Sequence, residues 1–275
     1  MKLARGDIGV TMQNLISRGR GIWHVPAMKR FPSLAGLVLM LCAAPFSWSV
    51  EAPPDKLPAV APAAAGRFVQ PDAIDWKSLL PPPPAPGSLA ALGDLETVLQ
   101  VQAARTPADV AWAKLIEKDH VFEDFGDVLG PWFEEKNLPV LTDFLGQVTI
   151  DARQVSDRMK SLYLRYRPPT VEPTVRPCVE IPKSNSYPSG HSLRAFVWAG
   201  VLGDVFPDRQ PDLFARAHRV AWGRVIGGVH FPSDIVGGRI AAQAIVAELR
   251  KSPAYRAAIE KCRAEVAPFL LKKAA

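Results

Sequence analysis

Apolar residues recur every three or four positions after Pro139, and this is the most regular pattern in the chain. The members of the apolar stripe are Leu141, Phe144, Leu145, Val148, Ala152, Val155, Met159 and Leu162. Such spacing places all of them on one face of an α-helix of about six turns. The helix must end by Arg167, because Pro168 and Pro169 cannot continue it.

The chain from Ser88 onward shows helical rather than alternating patterns almost throughout. Ser88 and Thr106-Pro107 are suitable N-caps for two successive helices. A proline-rich loop is predicted over 168–188, and further helices are predicted over about 190–206, 211–222, 232–250 and 253–266. No later segment reaches about 18 uninterrupted apolar residues, which argues against a transmembrane bundle. We therefore predict a soluble, all-α domain over residues 88–275.

Residues 53–87 are rich in proline and alanine and end in a leucine pair followed by prolines. This composition predicts an extended arm without helix or strand. The leucine pair, Leu79 and Leu80, indicates that the end of the arm docks on the domain.

Residues 1–52 are predicted to comprise an N-terminal extension, over 1–27, followed by a secretion leader. A basic tripeptide at 28–30 precedes an apolar stretch over 34–46, and small residues follow near Ala52. Since a membrane span needs about 20 apolar residues, we predict a signal peptide cleaved near Ala52. The mature protein is then periplasmic or secreted and has no stable membrane insertion. An uncleaved membrane anchor is the alternative.

Removal of this leader changes the charge and the cysteine content. The whole chain carries a net charge of +6, of which residues 1–52 contribute +4, leaving about +2. Such a weak positive charge gives no electrostatic case for a nucleic-acid partner. The mature chain keeps Cys178 and Cys262. One disulfide bridge and two unpaired thiols both stay open for this pair.

Two of three chemically suggestive clusters flank the proline-rich loop. The segment KSLYLRYRPP ends the long predicted helix, and Lys160 and Arg167 are two helical turns apart within it. This spacing predicts that both side chains leave one helix face. The segment Ser189-Gly190-His191 stands where a helix is predicted to begin. A helix start offers unpaired N–H groups to an anion, and glycine lets the backbone approach it closely.

The third cluster lies in GRVIGGVHFPSDI and contains Arg224, His230 and Asp234. Pro232 suits a first helical turn, so His230 is predicted just outside a helix with Asp234 in its opening turn. The carboxylate would then bind one ring nitrogen and leave the lone pair of the other free for attack. The sequence shows no HExxH motif, paired cysteines or carboxylate cluster, so neither a metal nor another cofactor is predicted.

The order and spacing of these clusters resemble the three-part signature of the superfamily of type 2 phosphatidic acid phosphatases and vanadium haloperoxidases. The segments LLPPPPAPGS and SYPSGHS, at 79–88 and 186–192, are more specifically similar to class A bacterial non-specific acid phosphatases. The likeness covers about residues 79–266. It implies a compact multi-helix domain whose active site is formed by helix termini and loops.

The resemblance also implies an activity and a set of roles. The implied activity is metal-independent, vanadate-inhibited hydrolysis of small phosphomonoesters through a phosphohistidine, with an acid optimum. His230 would be the nucleophile, Asp234 would orient it, and His191 would act first as acid and then as base. The residues implied to bind phosphate are Lys160, Arg167, Ser189, Gly190 and Arg224. A homodimer or larger homo-oligomer is implied as well.

One position departs from the pattern of the family. Gly223 stands where the family usually places a serine, which leads us to expect weaker retention of phosphate. Three other functions stay open on the same residues: a vanadium-dependent haloperoxidase, a lipid phosphate phosphatase, and a protein that binds phosphate without hydrolysing it.

Overall fold

The computed structural model describes residues 67–274. The predicted signal peptide within 1–52 and the first part of the predicted arm lie outside the described residues. Within 67–274 all regular structure is helical, which confirms the predicted all-α fold class. In that same range no helix is both long enough and apolar enough to cross a membrane.

The α-helices of the described chain follow one another along the sequence with short connections. They are α1 (Trp76–Leu79), α2 (Leu89–Ala104), α3 (Pro107–Leu115), α4 (Val121–Leu129), α5 (Pro139–Leu162), α6 (Pro168–Val171), α7 (Gly190–Val205), α8 (Gln210–Ile226), α9 (Pro232–Lys251) and α10 (Pro253–Ala274). Short 3-10 turns lie at 71–73, 116–118, 135–137 and 207–209.

Two predicted helix starts are capped as the sequence indicates. The hydroxyl of Ser88 accepts a hydrogen bond from the N–H of Ala91 at 3.2 Å. Thr106 and Asp109 form a reciprocal capping box, with N–H to oxygen distances of 3.2 and 2.8 Å. These bonds satisfy N–H groups that a helix start leaves unpaired, and so they fix the first turns of α2 and α3.

Two helices are longer than the sequence pattern predicts. Helix α8 continues from the predicted end at 222 to Ile226, and α10 continues from 266 to 274. Burial of Val225 outweighs the low helix propensity of the preceding glycine. Helix α10 continues through Pro268, and Phe269 then stacks on Trp132 with ring centroids 5.2 Å apart.

Helix α7 lies at the centre of the domain and is enclosed on all sides. Fourteen of its sixteen residues are buried, as expected for a helix that is apolar all round. Helices α5, α8, α9 and α10 pack around it. Gly200 permits the close approach of α9, because a Cβ there would lie 2.8 Å from Cγ2 of Val246. The N-terminus of α7 is thereby held among the ends of its neighbours.

The arm predicted over 53–87 is more ordered than its composition indicates. Residues 71–73 form a 3-10 turn and α1 follows, so the prediction of a segment without helix is wrong there. The carboxylate of Asp151 on α5 accepts hydrogen bonds from the main-chain N–H groups of residues 67–69, at 2.8 to 3.0 Å. These tertiary bonds order a segment whose own composition would leave it extended.

The predicted docking of the leucine pair holds for one of its members. Leu80 is fully buried, whereas Leu79 is 41% exposed. Val69 and Trp76 are also buried in the core, so the docked part of the arm begins well before the leucines.

Both cysteines of the described chain carry free thiols. Of the two alternatives left open by the sequence, the structure therefore has the unpaired one. Cys262 is buried and Cys178 is half-buried.

Candidate active site

Helix ends meet at the N-terminus of α7. Helices α5 and α8 end near this point, and α7 and α9 begin there. Gly238 permits the approach of α9, because a Cβ there would lie 2.6 Å from the carbonyl oxygen of Ser189. Helix N-termini carry partial positive charge and unpaired N–H groups, so a junction with two of them favours an anion.

His230 lies two residues before the start of α9, and Asp234 lies in the first turn of this helix, as the sequence predicts. The Nδ1 atom of His230 is 3.2 Å from Oδ2 of Asp234, and both side chains are buried. The same Oδ2 accepts hydrogen bonds from the N–H of Phe231 at 2.9 Å and from the hydroxyl of Ser186 at 2.6 Å. The carboxylate is therefore fixed against the imidazole.

Arg167 approaches His230 from the opposite side of the ring. Its Nη1 is 3.1 Å from Nε2 of His230 and donates to the carbonyl of Val229 at 2.8 Å. Arginine has no acceptor atom, so Nε2 must be the accepting nitrogen and the ring proton must lie on Nδ1, facing Asp234. An anion that accepted from this donor instead would leave the Nε2 lone pair free for another group.

Lys160 and Arg167 converge on one carbonyl oxygen. The Nζ of Lys160 lies 2.6 Å from the oxygen of Asn185, and Nη2 of Arg167 lies 3.4 Å from it. The amide of Asn185 in turn donates to the main-chain oxygen of Lys160 at 3.0 Å. The two cations are thus close neighbours.

The sequence spacing predicts that Lys160 and Arg167 leave one face of the same helix, and this prediction is wrong. Helix α5 ends at Leu162, and Arg167 has an extended backbone with φ −79° and ψ 158°, so the two cations do not share a helix face. The chain leaves the helix because it pairs with the following loop: the N–H of Ser186 donates to the oxygen of Arg165 at 2.8 Å.

Arg224 lies in the last turn of α8 and is 1% exposed. Its Nε and Nη1 atoms have no hydrogen-bond partner within the part of the chain that the structure describes. Its charge lowers the pKa of His191, His230 and Arg167, so it belongs to the same cluster. A buried charged donor without a partner is unfavourable, and an anion at this point would satisfy it.

Ser189 and His191 stand at the N-terminus of α7. Ser189 is the N-cap and accepts a hydrogen bond from the N–H of Ser192 at 3.4 Å. The Nε2 of His191 is 3.3 Å from the carbonyl oxygen of Glu117. A carbonyl only accepts, so Nε2 carries the proton and Nδ1 of the neutral ring keeps its lone pair.

Gly190 leaves little space for a side chain. A Cβ there would lie 3.1 Å from both Nη1 of Arg194 and Oγ of Ser156. The sequence reasoning did not single out Arg194, whose Nε forms an ion pair with Asp119 at 2.5 Å. The charge of Arg194 contributes to lowering the pKa of His191.

Burial and the neighbouring positive charges shift the pKa of each cation and histidine of this cluster downward. Burial, and after it Arg167, lowers the pKa of Lys160 to about 7. Burial lowers the pKa of Arg167 and of Arg224 to about 10. Burial also holds the pKa of His191 and of His230 well below the usual value, with Arg224 and Arg167 respectively as the next causes. A bound anion would oppose each of these shifts.

The sequence reasoning also missed the groups that hold Asp234. Arg165 donates to Oδ1 of Asp234 at 2.7 Å, and Asp94 on α2 accepts from Arg165 at 2.6 Å. Arg165 and Ser186 lie inside the segments KSLYLRYRPP and SYPSGHS, so their positions were a usable signal. Asp94 has no such signal, because only the folded chain brings α2 to this point.

Gly223 is packed against two large side chains. A Cβ there would lie 3.1 Å from Cγ1 of Ile116 and 3.1 Å from Nε1 of Trp112. These groups would have to shift by a few tenths of an ångström to admit a serine side chain. Whether glycine at this position weakens retention of phosphate is a question for the variant Gly223→Ser.

The arrangement suits a tetrahedral anion beside a nucleophilic nitrogen. Lys160, Arg167 and Arg224 supply the positive charge, and His230 supplies the lone pair. Among residues 67–274 no group of His, Cys, Asp or Glu is arranged to hold a metal ion.

Comparison with known proteins gives one family and several relatives. The PAP2 superfamily matches residues 141–257. A non-specific acid phosphatase of Providencia stuartii is 30% identical over 209 residues, which cover 71% of this chain and 82% of the relative. A non-specific acid phosphatase of Salmonella typhimurium is 28% identical over 222 residues, covering 75% of this chain and 88% of the relative.

Among solved structures, a bacterial vanadium-dependent iodoperoxidase aligns with a TM-score of 0.49 and 18% identity. The alignment covers 62% of this chain and 52% of that structure.

Proposed function

Because the chain belongs to the non-specific acid phosphatases of the PAP2 superfamily, we propose that it hydrolyses phosphate monoesters through a phosphohistidine formed on His230. Acid phosphatase activity is the enzyme class of the family. The covalent route, the roles of the residues and the independence from metal ions are the content of the proposal.

The single observation that carries the proposal is the unsatisfied Arg224. Its guanidinium is buried with two donors that no described group accepts, and its charge acts on His230, which Asp234 orients. The pKa of Lys160, lowered to about 7 by burial and then by Arg167, supports the same conclusion, since a nearby anion would favour the charged amine. A phosphate group would accept from these donors and neutralise the cluster.

In the first step, the Nε2 lone pair of His230 attacks phosphorus while the bond to the ester oxygen breaks. The leaving oxygen takes a proton from His191. The ring of His230 becomes positively charged, and Asp234 stabilises it through the proton on Nδ1. Lys160, Arg167, Arg224, Ser189 and the main chain at Gly190 bind the non-bridging oxygens.

In the second step, His191 takes a proton from a water molecule whose oxygen attacks phosphorus. The bond between phosphorus and Nε2 breaks, inorganic phosphate leaves, and His230 returns to its neutral form. Because the carbonyl of Glu117 holds the Nε2 proton of His191, we assign Nδ1 as the nitrogen that gives and takes the proton.

The two histidines need opposite protonation states, so a bell-shaped pH profile follows. The pKa of His191 is held well below the usual value by burial and by Arg224. The protonated fraction of His191 therefore grows as the pH falls, which gives an acid optimum.

Further elements of the proposal concern the setting of the enzyme. The site lining is cationic and suits an anion rather than a metal cation, so activity should not need a metal. The leader sequence supports secretion to the periplasm or beyond. The family resemblance supports a homo-oligomer.

The test is hydrolysis of an aryl phosphate by the purified mature protein. The variant His230→Ala should lose both turnover and the trapped phosphoenzyme, whereas His218→Ala, an exposed histidine on α8, should keep both. Orthovanadate should inhibit and EDTA should not. Appreciable turnover by His230→Ala would overturn the nucleophile assignment, and inactivation by EDTA would overturn the independence from metal ions.

A further inference from the structure

Arg165 joins two carboxylates beside the proposed nucleophile. Its Nη1 donates to Oδ1 of Asp234 at 2.7 Å, and its Nη2 donates to Oδ2 of Asp94 at 2.6 Å. The three side chains are 9%, 0% and 8% exposed, in the order Arg165, Asp234, Asp94. We propose that Asp94 and Arg165 form a charge-balanced clamp on Asp234 and are positioning residues for the reaction at His230. This inference rests on the proposed function.

The clamp ties the start of α9 to α2. Nη1 of Arg165 also donates to the hydroxyl of Ser233 at 2.6 Å, and this hydroxyl is bonded to Oδ2 of Asp94. The N–H of Ser233 donates to Oδ1 of Asp94 at 3.1 Å. The guanidinium lies over the ring of Phe231, 4.2 Å from its centroid. Arg165 is thus held on its face and at both ends of its planar fork.

Arg165 controls both oxygens of the Asp234 carboxylate. It holds Oδ1 directly. Its main-chain oxygen accepts from the N–H of Ser186 at 2.8 Å, and the hydroxyl of Ser186 donates to Oδ2 of Asp234 at 2.6 Å. The edge of the carboxylate that faces His230 is therefore fixed as well.

The charges explain why a second carboxylate is needed. Arg165 and Asp234 alone would be a neutral pair, with little charge left to stabilise a cationic imidazole on His230. Asp94 balances Arg165, so the three groups together keep one negative charge. That charge acts where the ring becomes positive as the bond to phosphorus forms.

The net charge of Arg165, Asp94 and Asp234 can be made more positive or more negative with variants of similar size. In Asp94→Asn the three-residue set is neutral, so the positive charge of Arg165 acts on His230 unopposed. We expect kcat to fall about 10- to 100-fold with KM within about threefold, because ring orientation and charge act on the chemical step. The acid limb of kcat/KM, which reports protonation of His230, should move to lower pH by about one unit.

In Arg165→Met the set carries two negative charges. The value of kcat should fall by a similar factor of about 10 to 100, since Asp234 loses its anchor. The acid limb should now move to higher pH, because unbalanced carboxylates favour the protonated ring.

The double variant Asp94→Asn with Arg165→Met has the wild-type net charge. Its acid limb should return towards the wild-type position while kcat stays low. If Arg165→Met folds poorly, Arg165→Lys keeps the charge but not the fork, and it should lower kcat without moving the limb.

Other charged groups face His230 and stay unchanged in every variant. They are Lys160 from α5, Arg167 from the loop before α6, His191 from α7, Arg224 from α8 and Asp234 from α9. If the acid limb of kcat/KM moves in opposite directions in Asp94→Asn and Arg165→Met, the change is therefore due to the charges of the clamp.

The matched control is Asp204→Asn at the other end of α7, about 20 Å away along the helix axis. Asp204 is likewise a carboxylate held by arginine, through Arg250. This variant should lose stability but keep kcat and the pH profile. Thermal unfolding of all variants separates loss of fold from loss of rate.

Two results would overturn the clamp: wild-type kcat in Asp94→Asn, or limbs that move in the same direction or not at all in the two single variants. Failure of the proposed function is distinguishable, because it would appear as persistent turnover in His230→Ala, whatever the clamp variants do.

Discussion

Charged groups are paired at the C-terminal end of α7, whereas at its N-terminal end a buried cation has donors that no group of the described chain accepts. At the C-terminal end, Asp204 accepts from Arg250 at 2.7 and 3.0 Å and from the hydroxyl of Tyr255 at 2.7 Å. Arg263 donates to the main-chain oxygen of Asp204 at 2.7 and 3.0 Å and so satisfies the helix end. At the N-terminal end, Arg224 is buried with donors unsatisfied by the described residues.

The pKa values express the same contrast. The bond to Asp204 raises the pKa of Arg250, so the fold favours its charged form. Burial and Arg167 lower the pKa of Lys160 to about 7, so the fold disfavours its charge. One end of the helix is arranged for stability. The other keeps buried cations in an unfavourable state, which suits the anionic ligand of the proposed function.

The largest expected effect comes from removing the unsatisfied cation. Arg224→Met should lower kcat/KM by about 10²- to 10³-fold, because in the proposed mechanism the buried guanidinium stabilises charge on the transferring phosphoryl group. Its stability should not fall, since the variant removes a buried charge without a partner. Steady-state kinetics and thermal unfolding give both quantities.

The counterpart at the other end is Arg250→Met. It should keep wild-type kinetics and lose about 1 to 3 kcal/mol of stability, because Asp204 is left with fewer donors. If Arg224→Met kept its activity, or Arg250→Met lost it, the contrast between the two ends would not be functional.

A second prediction concerns the ligand itself. Inorganic phosphate or orthovanadate should stabilise the wild-type protein by about 2.7 kcal/mol at a hundred times the dissociation constant. Thermal shift assays over a ligand titration measure this. Arg224→Met should lose most of the response, whereas Asp204→Asn should keep it. A full response in Arg224→Met would mean that the anion binds elsewhere.

The third prediction is a pH dependence of stability. The pKa of Lys160 is about 7 in the folded chain and about 10.5 in the unfolded chain, so the unfolded chain binds more protons between these values. The free energy of unfolding contributed by this group therefore rises as the pH rises from 7 towards 10.5, by at most about 1.4 kcal/mol per pH unit.

The measurement is denaturant unfolding of the wild-type protein and Lys160→Met between pH 7 and 9.5. The difference between them should show the rise, and saturating phosphate should flatten it by restoring the pKa of the amine. An equal pH dependence of the unfolding free energy in both proteins would show that the pKa of Lys160 is not lowered in the folded chain.

The helices and the His230 and Asp234 geometry could be predicted because they are local. A periodic apolar stripe, a cap at Ser88 and a spacing of four residues act through neighbouring turns. The docking of residues 67–69 on Asp151 and the contact of Asp94 with Arg165 join distant segments, and no local pattern encodes them. The prediction that Arg167 lies on α5 failed for a related reason: the main chain at Arg165 pairs with the next loop, and α5 ends before it.

The smallest expected effect is that of replacing a glycine by serine near either end of α7. The two glycines are Gly223, which precedes Arg224, and Gly203 near the C-terminus of α7. In Gly223→Ser the new Cβ would lie 3.1 Å from Ile116 and from Trp112, which would have to shift by a few tenths of an ångström. We expect a loss of about 1 kcal/mol of stability. The inhibition constant of inorganic phosphate should stay within about twofold of wild type, because we expect the hydroxyl to pack against those side chains and not against the anion.

The control is Gly203→Ser near the C-terminus of α7, where the nearest atoms are Cγ and Nε2 of Gln210 at 3.2 and 3.5 Å. That side chain is flexible and can shift, so the stability change should stay within about 0.5 kcal/mol. Chemical unfolding and phosphate inhibition of both variants decide the matter. Clearly tighter phosphate inhibition in Gly223→Ser would show that the hydroxyl reaches the anion, and that the glycine weakens the site after all.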